Sequence, residues 1–177
     1  MRVIAGKVKG LKLKAPEGLD TRPTTDKTRE AIFGSLQFEI PGSRVLDLFA
    51  GSGAMGIEAL SRGADEAVFI DKSRNAVRCI EDNLKAAHMS AKVINSDFSS
   101  ALQRLEGEFD FIFVDPPYQS GFYREAIELI KIRGLLSEKG KLVLEHDGSL
   151  EVEGVRTIKD KKYGKAHIKI CGLELEN

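Results

Sequence analysis

Beyond Pro41-Gly42 the chain changes character. From Arg44 to Glu145, short continuous apolar runs alternate with stretches whose apolar residues recur at helical spacing. Continuous apolar strands are what a sheet covered on both faces requires, and regular strand-helix alternation is the pattern of a parallel α/β sheet. The pattern predicts strands at 44–49, 67–71, 92–95, 109–115 and 141–145, with helices beginning near Gly53, Ser73, Phe98 and Phe122. In the second of these helices Val77, Ile80 and Leu84 form one apolar stripe. Residues 152–158 and 166–172, joined by Lys161-Lys162-Tyr163-Gly164, read instead as a terminal antiparallel hairpin.

The segment before Pro41-Gly42 has its own organisation. Val3-Ile4-Ala5 and Leu11-Lys12-Leu13-Lys14 flank a Lys9-Gly10 turn signal, which predicts a small basic β-hairpin. Arg22-Pro23-Thr24-Thr25-Asp26 then reads as a helix start, with Ala31, Ile32 and Leu36 as its apolar stripe and an end near Phe38. The expected division is an extension over residues 1–40 and a sheet domain over 41–177.

Formal charge is balanced, 27 basic against 27 acidic residues, but unevenly distributed. Residues 1–44 carry nine Lys/Arg and five Asp/Glu, which leaves 18 against 22 for the rest. Arg2, Lys7, Lys9, Lys12 and Lys14 face no acidic residue within the first fourteen positions. A basic arm on an acidic body fits a polyanionic partner, and it equally fits an edge hairpin whose lysines discourage strand pairing.

A chain of 177 residues buries enough surface to fold without staples. Cys79 and Cys171 lie far apart without a CxxC pattern, as reduced thiols of a cytosolic protein do. No apolar run approaches the roughly 18 residues of a membrane span, and the first residues lack the apolar core of a signal peptide. A cytoplasmic location is expected. His88, His146 and His167 form no recognisable ligand pair, so no metal is expected.

Two segments carry chemistry. Asp47-Leu48-Phe49-Ala50-Gly51-Ser52-Gly53-Ala54-Met55-Gly56 follows the first strand and contains G-x-G-x-x-G, with Asp71 twenty residues past Gly51. Such glycines let the backbone turn tightly and approach a nucleotide, while a carboxylate at the next strand end can accept from ribose hydroxyls. The spacing suits a dinucleotide as well as other adenosine cofactors. Asp47 tips the choice, because a fixed anion at this point repels a pyrophosphate but not the ammonium and sulfonium of S-adenosylmethionine. Asp97, at the third strand end, is either a further cofactor contact or the cap of the next helix.

The second segment is Phe109-Asp110-Phe111-Ile112-Phe113-Val114-Asp115-Pro116-Pro117-Tyr118. A buried strand delivers a carboxylate, two prolines and a ring to the carboxyl edge, where open α/β sheets bind ligands. Prolines lack N–H groups and stiffen the turn, leaving it rich in acceptors. A planar base with an exocyclic amino group would donate to Asp115 and to the Pro116 carbonyl and stack on Tyr118.

These two segments resemble the cofactor and catalytic motifs of amino-directed, S-adenosylmethionine-dependent methyltransferases. Arg2-Val3-Ile4-Ala5-Gly6, residues 22–33, Asp47 to Gly53 and Glu58-Ala59-Leu60-Ser61-Arg62-Gly63-Ala64 together resemble the RsmD-type 16S ribosomal RNA guanine-N2 methyltransferases over nearly the whole chain. The resemblance implies a Rossmann-like seven-stranded methyltransferase sheet, mostly parallel with an antiparallel C-terminal hairpin, plus an N-terminal hairpin and helix extension. It implies S-adenosylmethionine as cofactor and 16S ribosomal RNA, within a small-subunit particle, as substrate. Asp115, Pro116 and Tyr118 then become the catalytic candidates, and Asp47, Ala50, Gly51, Gly53, Asp71 and Asp97 the cofactor candidates. Arg2, Lys7, Lys9, Lys12, Lys14 and Arg22 are the RNA candidates, while Thr24 is open between cofactor and RNA. Asp71 departs from the family pattern, which has Glu there. The competing readings are a DNA adenine or protein glutamine methyltransferase, a NAD-dependent oxidoreductase and a binding-only assembly factor. Glu145, at the fifth strand end, either lines the pocket or closes a salt bridge, the second reading being favoured.

Overall fold

The computed structural model describes residues 1–18, 24–117 and 121–175. Among these residues are five helices, α1 (Asp26–Leu36), α2 (Ala54–Ser61), α3 (Arg74–Ala86), α4 (Phe98–Arg104) and α5 (Phe122–Ile132). Seven strands accompany them: β1 (Arg44–Asp47), β2 (Glu66–Asp71), β3 (Lys92–Asn95), β4 (Phe109–Val114), β5 (Leu136–His146), β6 (Val155–Tyr163) and β7 (Ala166–Leu173). They form one sheet in the order β3-β2-β1-β4-β5-β7-β6, with β1 to β5 parallel and β7 antiparallel to both neighbours.

Local chemistry starts the helices where the sequence places them. The Thr25 hydroxyl accepts from the Thr28 N–H, Ser73 from Ala76 and Asp97 from Ser100. Each cap satisfies one of the donors that a helix N-terminus otherwise leaves unpaired. Alternation along the strands then sends side chains to opposite faces. Val45, Phe69, Phe111, Phe113 and Val143 pack with Ile32, Phe33, Ile57, Ile80 and Leu84 on one face. Leu46, Val68, Ile112, Val114 and Leu144 pack with Leu102, Ala126, Ile127 and Ile130 on the other. Helices α1 to α3 therefore cover one face, and α4 and α5 the other.

Several boundaries differ from expectation, among them the start of β6 at Val155 rather than residue 152. β1 ends at Asp47, because the chain turns there toward the glycine loop. β5 begins at Leu136 rather than Lys141, since Leu136 pairs with Phe109 across a register shift that absorbs the polar residues 137–140. Lys161, Lys162 and Tyr163 are strand rather than turn: Lys162 pairs with His167 and Tyr163 with Ala166, leaving only Gly164-Lys165 as the connection. Gly164 has φ +61°, which suits the tight turn of a two-residue hairpin. β6 is an edge strand, where lysines are favoured because they discourage pairing with other chains.

The N-terminal hairpin is short. Arg2 and Lys12 form a single antiparallel bridge, supported by bonds from Val3 N–H to the Leu11 carbonyl and from Leu13 N–H to the Met1 carbonyl. A buried ionic cluster holds it to the sheet domain. Glu58, fully buried on α2, accepts from the Ile4 and Ala5 N–H groups at 2.8 and 3.1 Å and from Arg62 Nε at 2.8 Å. Arg29 of α1, also fully buried, reaches Glu58 at 3.3 Å and pairs with Asp26.

Candidate active site

The strand order reverses direction around β1, with β2 on one side and β4 on the other. Ligands of open α/β sheets bind in the crevice that such a switch point opens at the carboxyl ends of the strands. Asp47 ends β1, Asp71 ends β2, and Asp115 follows β4, so the candidates from both motifs meet at this edge.

The glycine loop is built on close approach. Gly51 and Gly53 have φ of +57° and +79°, and a Cβ on Gly51 would meet nothing within 4 Å, so its open side is available to a ligand. Gly56 has a different task. A Cβ there would lie 2.3 Å from Cε1 of Phe69, so glycine is what lets α2 rest on β2. Asp71 binds the loop from below: one oxygen accepts from the Gly51 N–H and the other from the Ser73 N–H, each at 2.9 Å. Half-buried, it still presents carboxylate surface at the edge.

Asp47 is buried and accepts from the Gly56 N–H at 3.0 Å. Burial pushes its carboxyl up to about 7, opposed by the Gly56 N–H and reinforced by the negative charge of Asp71. A nearby cation would be the natural stabiliser of its ionised form. Asp97 is exposed and caps α4, its Oδ1 accepting from the Ser100 N–H at 2.8 Å. That bond holds its carboxyl below the ordinary range. Phe49, Phe98 and Phe122 form an aromatic cluster at the same edge, with centroids 5.2 Å apart for Phe49/Phe98 and for Phe98/Phe122. Nothing in the sequence pattern marked these rings, because three helix and loop starts have to converge before they touch.

On the β4 side, Asp115, Pro116, Tyr123 and Glu145 line a cleft of about 860 Å³, together with residues of the start of α1 and of the β6–β7 turn. Asp115 is exposed, but it opens into this concave cleft rather than onto a convex surface. Its carboxyl is held well above the ordinary range, first by desolvation and then by the neighbouring carboxylates Glu145 and Asp47. Strand register explains the first of those neighbours: Val114 pairs with Leu144, so the next residues of both strands emerge side by side.

Glu145 does not close a salt bridge among the described residues. It accepts from the Thr24 hydroxyl at 2.6 Å and lines the cleft instead. Thr24 is thereby placed on the cleft side through Glu145. Tyr123, buried on α5, donates its hydroxyl to the Glu145 carbonyl. Burial and the charges of Asp115 and Glu145 raise its phenol, so it remains a donor at neutral pH. Tyr123 carried no sequence signal beyond its place near the start of α5. Tyr118 and Arg22 lie outside the described residues. Arg2, Lys7, Lys9, Lys12 and Lys14 are exposed on the N-terminal arm and are not among the residues that line the cleft, although the Arg2 N–H donates to Asp26 at the start of α1 at 3.3 Å. Asn83 ties that arm to the glycine loop, since its Nδ2 donates to the carbonyls of Lys14 and Ser52 at 3.0 and 2.9 Å.

A second hollow of about 550 Å³, over Asn95, Ser96, Asp97, Ser100, Gln103 and Arg104, includes only Asp97 of the candidates. His146 and His167, distant in sequence, face each other across β5 and β7 with ring centroids 5.3 Å apart. His146 Nδ1 accepts from the Gly148 N–H at 3.0 Å, which gives that ring a structural task. No group of three metal-ligating side chains occurs among the described residues.

A sheet of this order, with an antiparallel β7 inserted between β5 and β6 and glycine loop and acceptor-rich tip flanking its switch point, is that of a Rossmann-like methyltransferase. Comparison with known proteins agrees. The Escherichia coli protein yhhF, provisionally described as a methyltransferase, superposes with a TM-score of 0.88 at 32% identity, covering 99% of both chains. A family model described as conserved hypothetical protein 95 matches residues 1–172, and the chain belongs to that family. Bacillus subtilis (strain 168) YlbH, provisionally described as an rRNA methyltransferase, is 43% identical over 157 residues, spanning 86% of this chain and 85% of the relative. Ribosomal RNA small subunit methyltransferase D of Escherichia coli (strain K12) is 37% identical over 148 residues, spanning 83% of this chain and 75% of the relative.

Proposed function

We propose that the protein transfers the methyl group of S-adenosylmethionine to the exocyclic N2 amino group of a guanine in small-subunit ribosomal RNA. The observation that carries the reading is the pairing of two different surfaces across one switch point. On the β1/β2 side stand an open glycine loop, the carboxylates of Asp47 and Asp71 and the rings of Phe49, Phe98 and Phe122. On the β4/β5 side stands a cleft lined by Asp115, Pro116 and Glu145, rich in acceptors. The relatives named as ribosomal RNA methyltransferases support the substrate class.

The residues present fit the cofactor. Asp47, at about 7, gains from a cationic neighbour, Asp71 offers acceptors for ribose hydroxyls, the phenylalanine rings offer an apolar surface to adenine, and the loop around Ala50, Gly51 and Gly53 has room above it. Asp97 would add an acceptor beside the same rings. When bound, the cofactor supplies an electrophilic sulfonium methyl group.

The chain's own task is to make a poor nucleophile attack. The lone pair of a guanine amino nitrogen is delocalised into the ring, so that nitrogen must become tetrahedral. Ionised Asp115 and the Pro116 carbonyl accept from its two hydrogens, orient the lone pair and stabilise the developing positive charge. Once the nitrogen carries the methyl group, one of those protons passes to Asp115 and on to solvent. Glu145 adds negative potential, and Tyr123 holds the end of β5 in place through the Glu145 carbonyl. Tyr118 stacks on the base. A base paired inside a folded RNA cannot reach the cleft, so the target is unpaired or flipped out. Residues 1–40 form the RNA-binding extension, whose basic residues Arg2, Lys7, Lys9, Lys12, Lys14 and Arg22 hold surrounding phosphates. A cytoplasmic enzyme acting on the RNA within a small-subunit particle fits this reading.

The experiment is direct. Incubate the protein with labelled S-adenosylmethionine and either 16S ribosomal RNA or small subunits from a strain lacking the enzyme, then map the labelled nucleotide and atom. A single guanine labelled at N2 is expected. Label on an adenine, on protein or on no acceptor would overturn the assignment.

A further inference from the structure

We propose that the β6–β7 turn is a second nucleic-acid contact, in which Lys162 and Lys165, with Lys27 of α1, hold the phosphates that flank the target nucleotide. The inference deepens the functional reading above and rests on it.

The cleft poses an electrostatic problem. Among the described residues its carboxylates are Asp115, Glu145, Asp147 and Glu30, whereas the basic residues of the N-terminal arm contribute none of the lining. A phosphodiester carrying a base toward Asp115 therefore meets like charge at close range, where repulsion is strongest. Arm lysines can raise the local concentration of RNA, but they stand outside the cleft and cannot neutralise that repulsion there. Among the described residues, Lys27, Lys162 and Lys165 are the cations that line it. All three are exposed, and none forms an ion pair with a described residue.

The turn is also held in place. Pairing of Tyr163 with Ala166 confines the connection to Gly164-Lys165, so Lys162 and Lys165 flank a tight bend instead of riding on a long loop. Lys159 of the same strand donates to Ser35 Oγ of α1 at 2.8 Å, and Lys161 lies 5.5 Å over the Tyr163 ring. The first of these contacts ties β6 to α1, the helix that supplies Lys27. The resulting zoning suits a nucleotide: acceptors at the sheet edge for an amino-bearing base, and cations on α1 and the turn for its phosphates.

The test compares wild type with Lys162→Ala/Lys165→Ala and Lys162→Glu/Lys165→Glu double variants. Affinity for in-vitro-transcribed small-subunit ribosomal RNA is measured from 50 to 200 mM salt, beside calorimetry with S-adenosylmethionine and thermal unfolding. Removing the two lysines is expected to weaken RNA binding and flatten the log–log salt slope by about 0.7 per lysine, with the glutamate pair weaker still. Cofactor affinity and melting temperature are expected to stay at wild-type values. Unaltered RNA affinity and slope in both variants would overturn this inference alone. A wild-type protein that neither binds nor methylates the RNA would overturn the functional reading together with it. Binding of polyglutamate as tightly as RNA, lost in the same variants, would mark a general anion surface and also overturn it.

Discussion

The hydroxyl of Thr24 donates to Glu145 Oε2 at 2.6 Å, joining the residue before the α1 cap to the end of β5. This bond fixes Glu145 beside Asp115, whose carboxyl it helps to raise. The rate of methyl transfer is expected to rise with pH as Asp115 loses its proton, with a midpoint above the ordinary carboxylate range. Glu145→Gln keeps an acceptor for Thr24 but removes the charge, so the rising limb is expected to move to lower pH. Initial rates across pH 5–9 check this, and an unmoved limb would separate Glu145 from the reaction.

Asp115→Ala removes the carboxylate proposed to receive the amino hydrogens. Loss of one such preorganised group commonly costs on the order of 100-fold to 1000-fold in rate. Turnover is expected to fall by that amount while calorimetric affinity for S-adenosylmethionine persists. Near-normal turnover in a folded variant would show that Asp115 is not the acceptor.

Burial of Asp47 affects stability, because its folded-state pKa of about 7 lies above the ordinary aspartate value of 3.8. Between those values the folded protein holds a proton that the unfolded chain has released. Stability of the cofactor-free protein therefore falls as pH rises through this window, at most by about 1.4 kcal/mol per pH unit from this group. Asp47→Asn is expected to flatten the dependence between pH 4 and 7 in urea titrations. An equally steep variant would place the source elsewhere.

Gly56→Ala puts a methyl group 2.3 Å from the Phe69 ring, inside contact distance, at a site where both elements are buried. Overpacking of this kind costs about 1–3 kcal/mol. A lower melting temperature and weaker cofactor binding are expected together, because α2 carries the end of the glycine loop. Phe69→Leu in the same chain is expected to restore part of both. No rescue would argue that the ring is not the obstacle.

Glu58→Gln leaves Arg29 buried with only Asp26 as a carboxylate partner. Breaking a buried pair from one side typically costs 3–5 kcal/mol, and the surviving Asp26 contact puts the expectation near about 3 kcal/mol. Denaturant unfolding measures the total. Hydrogen exchange reports the local part: the Ile4 and Ala5 amides, which donate to Glu58, are expected to lose protection first.

Several features were legible in the chain because a few neighbouring residues decide them. Continuous apolar runs marked the parallel strands, and the Thr24-Thr25-Asp26 stretch and Ser73 marked helix starts, since a cap bonds only two or three residues ahead. Asp97 stayed open between cap and cofactor contact until the structure showed it capping α4. The glycine pattern located the loop at the end of β1, where positive φ excludes most other residues. The candidate tip Asp115-Pro116 could be picked out for the same reason, as a property of adjacent residues.

What folding alone decided involves partners far apart in sequence. Asp115 and Glu145 became neighbours through the pairing of Val114 with Leu144, a register set by packing on both faces of the sheet. Glu145 gained Thr24 and Tyr123 for its side chain and carbonyl, whereas its neighbours in sequence favour a salt bridge over a place in the pocket. The lysines of the β6–β7 turn reached the cleft because a two-residue connection and the bond from Lys159 to Ser35 hold that hairpin against α1. Short-range rules set conformation one turn or one strand at a time. The electrostatic surroundings of a carboxylate depend on every element packed near it, and those are chosen only when the whole sheet closes.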